Sequence, residues 1–368
     1  MSAGSSINTQ SQQKTKGKIK MKKTVALVLS AIMCLTLFAG CGKETPSSTP
    51  AASQGSEAPT TTKAPSADKL TLKLDSGFTA GTVLAEIPQE IIKRVTEASN
   101  GTIEIQDFPQ DALGTSPERA PMLMAGELDI SVHALSVFDQ YNPKQTILNA
   151  FFMFESWDHY KACQETDIYK GIISDLEKAI HATVVSDVYL GRRNMLSKKP
   201  IESLESLKGM KFRVPNEPMP IAAIKALGAA ATPIVGPEVY TALQNGTAEA
   251  TESPAAEIVN RAFYEICNYL TFTAHQYQTY CFFISDAAKA RMTEDQYNLI
   301  TKIIKEVCDE YTVKQQASEA EAEKFLREKC TCFDIDLTEM RNAVQSIYDD
   351  YDDVWGDGAW EAFKALAK

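Results

Sequence analysis

Lys208-Gly209-Met210-Lys211-Phe212-Arg213-Val214-Pro215-Asn216 reads as a short strand held between two breakers. Gly209 precedes it, and Pro215 lacks the amide that would extend its ladder. In period two, Met210, Phe212 and Val214 face one side while Lys211 and Arg213 face the other. Outward from this strand the pattern keeps alternating: a helix over Ile221–Leu227, a strand over Thr232–Val235, a helix over Pro237–Leu243, then Ala248–Thr251 as a strand. Upstream, Thr183–Leu190 reads as a strand whose end is followed by Gly191-Arg192-Arg193-Asn194.

The region after Asp68 has the same rhythm. Leu70, Leu72 and Leu74 alternate as a strand, and Leu84, Ile87, Ile91, Ile92 and Val95 follow helical spacing up to Asn100-Gly101. A strand over Thr102–Phe108, a helix near Glu118–Ala125 and a strand over Leu128–Val132 complete a β-α-β-α-β unit, the signature of a doubly wound α/β domain. Thr293 and Gln296 form a capping box, and Tyr297, Ile300, Ile303, Ile304, Val307 and Tyr311 mark the apolar face of a long helix reaching Lys329. The expected fold class is α/β, with two lobes, a ligand cleft between them and a long C-terminal helix. The sequons at Asn100 and Asn245 read as helix ends.

The 368 residues carry 37 Lys+Arg against 48 Asp+Glu, a net charge of −11. Six of the lysines lie in residues 1–40, so the rest of the chain is more acidic still and repels phosphate backbones; nucleic-acid binding is excluded. Lys22 and Lys23 precede an apolar run from Val25 to Leu37, too short to span a bilayer and ended by Phe38-Ala39-Gly40-Cys41. This is a secretory signal, with Met21 as the natural initiator. Its end resembles a bacterial lipobox, which makes Cys41 the lipidation site. Residues 42–68 are rich in Ser, Thr, Pro and Ala and cannot offset their chain entropy by burial, so they read as a tether. The expected location is the outer face of the cytoplasmic membrane, lipid-anchored.

The body's six cysteines (163, 267, 281, 308, 330 and 332) include no C-x-x-C, and the four histidines have no ligand spacing, so no metal is expected. No Walker loop, G-x-G-x-x-G, G-x-S-x-G or H-E-x-x-H is present, so neither catalysis nor a cofactor is expected. What remains is local positive charge, at Arg192, Arg193, Lys211 and Arg213, inside an acidic protein.

The passage from Gly191-Arg192-Arg193-Asn194 through Lys211-Phe212-Arg213-Val214-Pro215-Asn216 resembles the solute receptors of tripartite ATP-independent periplasmic (TRAP) transporters, DctP family. Ala226-Leu227-Gly228-Ala229, Pro237-Glu238-Val239-Tyr240, Glu252-Ser253-Pro254 and, earlier, Phe108-Pro109 and Ala125-Gly126-Glu127-Leu128-Asp129 continue it in order. The resemblance spans roughly residues 70–330. It implies a periplasmic-binding-protein-like receptor with no catalytic step, which closes over an organic acid and delivers it to the small and large membrane subunits of a permease. It also implies lobe I at 69–190 plus about 279–318, and lobe II at 191–278 plus about 319–368. Arg213 matches the family arginine that grips the ligand carboxylate with two parallel N–H groups. Arg193 matches a second family arginine, with Arg192 its neighbour and competitor. Ser253 stands where relatives usually have asparagine, which keeps one donor and loses the amide. His133-Ala134-Leu135 stands where some sialic-acid receptors have glutamate, which disfavours sialic acid. C4-dicarboxylates, sugar acids and related organic acids are the expected ligands.

Other candidates carry plainer readings beside the functional one. Tyr240, at helical spacing with Leu243, fits the core more readily than a ligand. Phe78 lies in the loop after the first strand, where a pocket wall is expected, and His133 at a strand end fits packing as well as pocket. Asn216 either orients Arg213 or caps the turn after Pro215. Rival functions are a receptor for an ABC importer, a ligand-presenting co-receptor for a sensor kinase, and an extracytoplasmic enzyme. Neighbouring permease, ATPase or kinase genes separate the first two from a TRAP receptor, and a convergent acid–base pair in the cleft would support the last.

Overall fold

In the computed structural model the described residues are 69–367; the expected signal, Cys41 and tether fall outside them. The first unit runs β1 (Leu70–Asp75), α1 (Ile87–Ala98), β2 (Ile103–Phe108), α2 (Ser116–Met124) and β3 (Ile130–His133), as the alternation predicts. Asn100 and Gly101 both take positive φ after α1, the turn their sequence implied. Two helices follow, α3 (Trp157–Gln164) and α4 (Asp167–Ile180), and lead into β4 (Ala182–Ser197). The second unit contains β5 (Lys211–Val214), α5 (Pro218–Ala226), β6 (Ala230–Pro233), α6 (Val239–Asn245), β7 (Ala250–Pro254) and α7 (Ala255–Asn260). Then come β8 (Tyr269–Ser285), α8 (Asp286–Lys289), α9 (Glu294–Lys329), β9 (Thr331–Phe333), α10 (Thr338–Tyr348), α11 (Asp352–Trp355) and α12 (Ala359–Lys364). Thr293 caps α9 and shares the expected capping box with Gln296.

All nine strands belong to one sheet, in the order β2-β1-β3-β8-β4-β7-β5-β6, with β9 beside β8. Its two outer thirds are parallel groups, β2-β1-β3 and β7-β5-β6, the arrangement of strands joined by crossover helices. Between them, β4 and β8 pair antiparallel from Ala182↔Ser285 to Ser197↔Tyr269. These two long strands carry the sheet from one unit into the other.

The expected strand end at Leu190 is corrected here. β4 continues through Gly191, Arg192 and Arg193 to Ser197, because β8 on one edge and β7 on the other supply ladder partners. The glycine marks a register shift, not a stop. Its φ is 148°, and a Cβ there would stand 2.5 Å from the Pro254 Cβ, so the close crossing of β4 and β7 needs glycine. The strand expected at Thr232–Val235 also sits two residues earlier, since Met210–Val214 backbone groups pair with Ala230–Ile234.

Apolar faces pack into three clusters. Leu72, Leu74, Ile87, Ile91, Phe282 and Ile304 join β1, α1, β8 and the first half of α9. Leu196, Leu243, Ile258, Leu270 and Leu326 join β4, α6, α7, β8 and the far end of α9. The largest cluster includes Phe151, Phe283, Phe212, Tyr348, Trp355 and Phe363. Each fully buried side chain of this kind contributes about 1.5–3 kcal/mol. In this last cluster the C-terminal helices rest on residues 143–163: Tyr348 OH donates to Phe151 O at 2.6 Å and Trp355 Nε1 to Thr146 Oγ1 at 2.8 Å. The boundary expected between the lobes therefore crosses shared packing. The six cysteines of the body are free thiols.

Candidate functional site

Two arginines are buried on strands separated in the sheet by β7. Arg193, on β4, lies opposite Pro254 of β7 and Gln276 of β8. Its Nε donates to Glu252 Oε2, and its Nη2 donates to Glu252 Oε1 and to the Glu252 carbonyl, each at 2.8 Å. Its Nη1 donates to Gln278 Oε1. Each of the three guanidinium nitrogens is therefore engaged, and the charge is paired. His275, itself buried, brings Nε2 to 3.6 Å from Glu252 Oε2. Burial alone would raise the Glu252 carboxyl, but the Arg193 charge, the nearby His275 ring and the Arg193 hydrogen bonds prevail and hold it at about 2. Burial works equally against the Arg193 cation, and Glu252 more than offsets it.

Arg213, on β5, is 7% exposed. Its Nε and Nη2 donate to the Ile234 carbonyl at 2.9 and 2.6 Å, which fixes the plane of the guanidinium. Of the nine arginines among the described residues, eight have a carboxylate within salt-bridge distance, and Arg213 does not. Burial without a partner brings it down to about 10, with the more distant Glu252 charge pulling the other way. A desolvated cation that lacks a counter-charge is costly unless something else supplies one.

Glu217 lies three residues past β5, at the N-cap of α5, and is partly buried. Burial raises its carboxyl, while a hydrogen bond with Ser136 and the charges of Arg193 and Arg213 pull it down. Ser136 belongs to the turn of 3-10 helix after β3. A hydrogen-bonded link between the first unit and the second lies at the rim. Arg261 Nε donates to Glu257 Oε2 at 2.6 Å, and its Nη2 reaches Thr79 Oγ1, from the loop after β1, at 3.1 Å.

Gly77, Phe78, Thr79, Asp111 and Arg261 line an open depression of ≈ 340 Å³ at this rim. Behind it a cavity of ≈ 10 Å³ is walled by Phe78, Leu190 and Tyr280. Arg193 and Arg213 line neither space. Tyr280 connects the two groups, because its hydroxyl feels the charges of both Arg261 and Arg193. Phe78 lines both spaces and meets Tyr280 edge-on at 5.6 Å.

The other sequence candidates fall elsewhere. Arg192 points to the opposite face of β4 from Arg193 and pairs with Glu319 and Glu323 of α9. Tyr240 packs against the Leu243 and Leu326 cluster. His133 is fully buried between Ser116 Oγ at 2.7 Å and Ser131 Oγ at 2.6 Å, which occupies both ring nitrogens, and burial holds it well below its ordinary pKa. Asn216 is exposed, and Arg213 is oriented by the Ile234 carbonyl instead. Ser253 is buried on β7, with its backbone opposite Asn194. Sequence reasoning missed Glu252, Glu217, Gln278, Tyr280 and Arg261. Glu252 lay inside a stretch quoted above and Glu217 one residue beyond another, but nothing in the sequence shows which cation each would meet.

A two-lobed α/β body with a buried, uncompensated guanidinium is the build of a solute receptor. Residues 80–353 match DctP, the bacterial extracellular solute-binding proteins of family 7, and the chain belongs to that family. It is similar to SiaP of Vibrio cholerae, a sialic acid-binding periplasmic protein: 27% identical over 283 residues, 77% of this chain and 88% of that one. A TRAP periplasmic solute binding protein from Ochrobactrum anthropi superposes with a TM-score of 0.74 at 25% identity, covering 82% of this chain and 95% of the other. Another, from Pseudomonas putida F1 with bound D-glucuronate, shares the fold with a TM-score of 0.75 at 24% identity, covering 81% and 96%. No helix among the described residues is long and apolar enough to cross a membrane.

Proposed function

We propose that this chain captures a carboxylate-bearing organic or sugar acid outside the cytoplasmic membrane and hands it to the membrane subunits of a TRAP permease. The observation that carries this reading is Arg213: a pinned, buried guanidinium with no carboxylate partner among the described residues. A ligand carboxylate supplies the missing charge through paired N–H bonds, and little freedom is lost because the Ile234 carbonyl already holds the side chain. Arg193 and Glu252 form the rigid floor beside it, and Ser253 remains the donor on β7. The ligands of relatives support the class, from sialic acid in SiaP to D-glucuronate in the Pseudomonas receptor.

The chain binds its acid without transforming it. The lobes, 69–190 with about 279–318 and 191–278 with about 319–368, close by bending where β4 and β8 cross, and the Thr79–Arg261 contact joins them when shut. Cys41 carries the acyl chains that hold the protein on the membrane face. Isothermal calorimetry with D-glucuronate, D-galactonate and succinate tests the reading. At least one acid should bind to the wild type, and Arg213→Met should abolish that binding. Wild-type affinity in Arg213→Met removes the anchor and the function argued from it.

A further inference from the structure

Where β4 passes from one proposed lobe to the other, its ladder slips. Tyr189 lies opposite Thr279 and Gly191 opposite Gln278, so Leu190 is an extra residue on β4. The backbone groups turned away from β8 at this bulge are taken by α9. Thr312 Oγ1 accepts from Tyr189 N at 3.2 Å, Gln315 Nε2 donates to Leu190 O at 2.8 Å, and Glu319 Oε1 accepts from Arg192 N at 2.6 Å. These three side chains stand three and four residues apart, on one face of the helix, and all are buried. They interrupt its apolar stripe: Ile304, Val307 and Tyr311 belong to one core cluster, Ala322 and Leu326 to another, and the polar row lies between.

Glu319 differs from the other two. Thr312 and Gln315 hold residues 189 and 190, on one side of Gly191. Glu319 holds both sides, because its Oε2 also accepts from the Tyr189 hydroxyl at 2.5 Å. The fit is close, since a Cβ on Gly191 would stand 2.9 Å from Glu319 Oε1. Burying a carboxylate is costly unless its oxygens are hydrogen-bonded, and packing alone would be served by an apolar residue. A bend of β4 at Gly191 moves the Tyr189 hydroxyl and the Arg192 amide relative to each other, and one carboxylate cannot follow both.

We propose that Glu319 is a clasp on the interlobe hinge: it bridges Tyr189 and Arg192 across Gly191 in the shut conformation, and opening the cleft breaks one of these two bonds. The clasp rests on the reading of this chain as a receptor that shuts over its ligand. The Thr79–Arg261 contact across the rim shows that the conformation holding both Glu319 bonds is the shut one. Glu319 acts as a positioning residue: it slows release by holding the angle of the sheet.

Stopped-flow kinetics on the purified protein test this, with whichever of D-glucuronate, D-galactonate and succinate binds the wild type. Tyr189→Phe keeps the ring and the carboxylate and removes one bond of the clasp. It should speed release about fivefold, the worth of one ordinary hydrogen bond, and leave the association rate unchanged. Glu319→Leu removes both bonds and should speed release further; if it does not fold, Tyr189→Phe decides. Thr312→Val frees a bond on one side of Gly191 only, so it should lower the melting temperature without changing release. Release from Tyr189→Phe at the wild-type rate, or equal acceleration in Thr312→Val, overturns the clasp and leaves Arg213 and the receptor reading in place. Binding of none of the three acids removes the receptor reading and the clasp with it.

Discussion

Arg193 and Arg213 are the same side chain in nearly the same degree of burial, on two strands of one sheet with β7 between them. The protein treats them oppositely. Around Arg193 it has assembled a carboxylate, a carbonyl and an amide, so that every nitrogen of the guanidinium is engaged and its charge is paired. Around Arg213 it has placed a single backbone carbonyl that orients the plane and leaves the charge open. On the function proposed above, the difference separates a structural ion pair from a binding group: the fold pairs one buried charge and withholds the partner from the other.

The comparison breaks first at Glu252. Removing one member of a buried pair strands the other, at a cost of about 3–5 kcal/mol. Glu252→Ala should therefore lower the melting temperature sharply and impair binding only through the loss of folded protein. Acid supplies the same test. The Glu252 carboxyl is held at about 2 against an ordinary 4.5, so its stabilisation is complete above pH 4.5 and disappears as pH falls through about 2. The wild type should lose stability across that window, and the alanine variant should lose less. A variant that melts like the wild type at pH 7 would show that the pair is not structural.

At Arg213 the expected pattern is the reverse. Arg213→Met should weaken binding by about a hundredfold or more, roughly 2.8 kcal/mol, yet leave the ligand-free protein as stable as before or more so. The reason is that an unpartnered buried cation opposes folding, and an apolar side chain of similar length relieves it. Melting curves taken without ligand read this half. A large drop in ligand-free melting temperature would place Arg213 with Arg193 as a structural residue.

A milder substitution sharpens the same contrast. Arg213→Lys keeps the charge and gives up the two parallel bonds, so binding of the cognate acid should weaken by about tenfold, 1.4 kcal/mol. Equal affinity in the lysine variant would mean that Arg213 acts as a point charge and not as a fork.

How much of this was legible in the sequence depends on range. Alternation of Leu70, Leu72 and Leu74, the Phe212 and Val214 face, and the Thr293–Gln296 cap all lie within a few residues, and each appears as read. β8 escaped because His275-Gln276-Tyr277-Gln278 interrupts its apolar pattern; pairing with β4 along one edge and with β3 and β9 along the other holds it as a strand regardless. Gly191 was read as a stop, where tertiary pairing makes it a crossing point. Arg213 was singled out in the sequence through a family motif. Its unpaired state was not, because absence of a partner depends on all the carboxylates of the fold. The Arg193–Glu252 pair spans 59 residues and depends on the Asn194↔Ser253 register.

The smallest effect belongs to the rim, where neither arginine is involved. Thr79 Oγ1 accepts from Arg261 Nη2 at 3.1 Å and donates to Glu257 Oε2 at a longer 3.4 Å, joining the loop after β1 to α7. Arg261 and Glu257 stay paired without it, so Thr79→Val strands no charge and forfeits one ordinary hydrogen bond, about 0.5–1.5 kcal/mol. That bond joins the two sides of the cleft and would be made only when they meet. Its loss should therefore speed ligand release several-fold and leave the association rate and the ligand-free melting temperature unchanged. Stopped-flow displacement measures both rates. An unaltered release rate would mean that the rim contact is incidental, and that closure is held across the cleft by the arginine site alone.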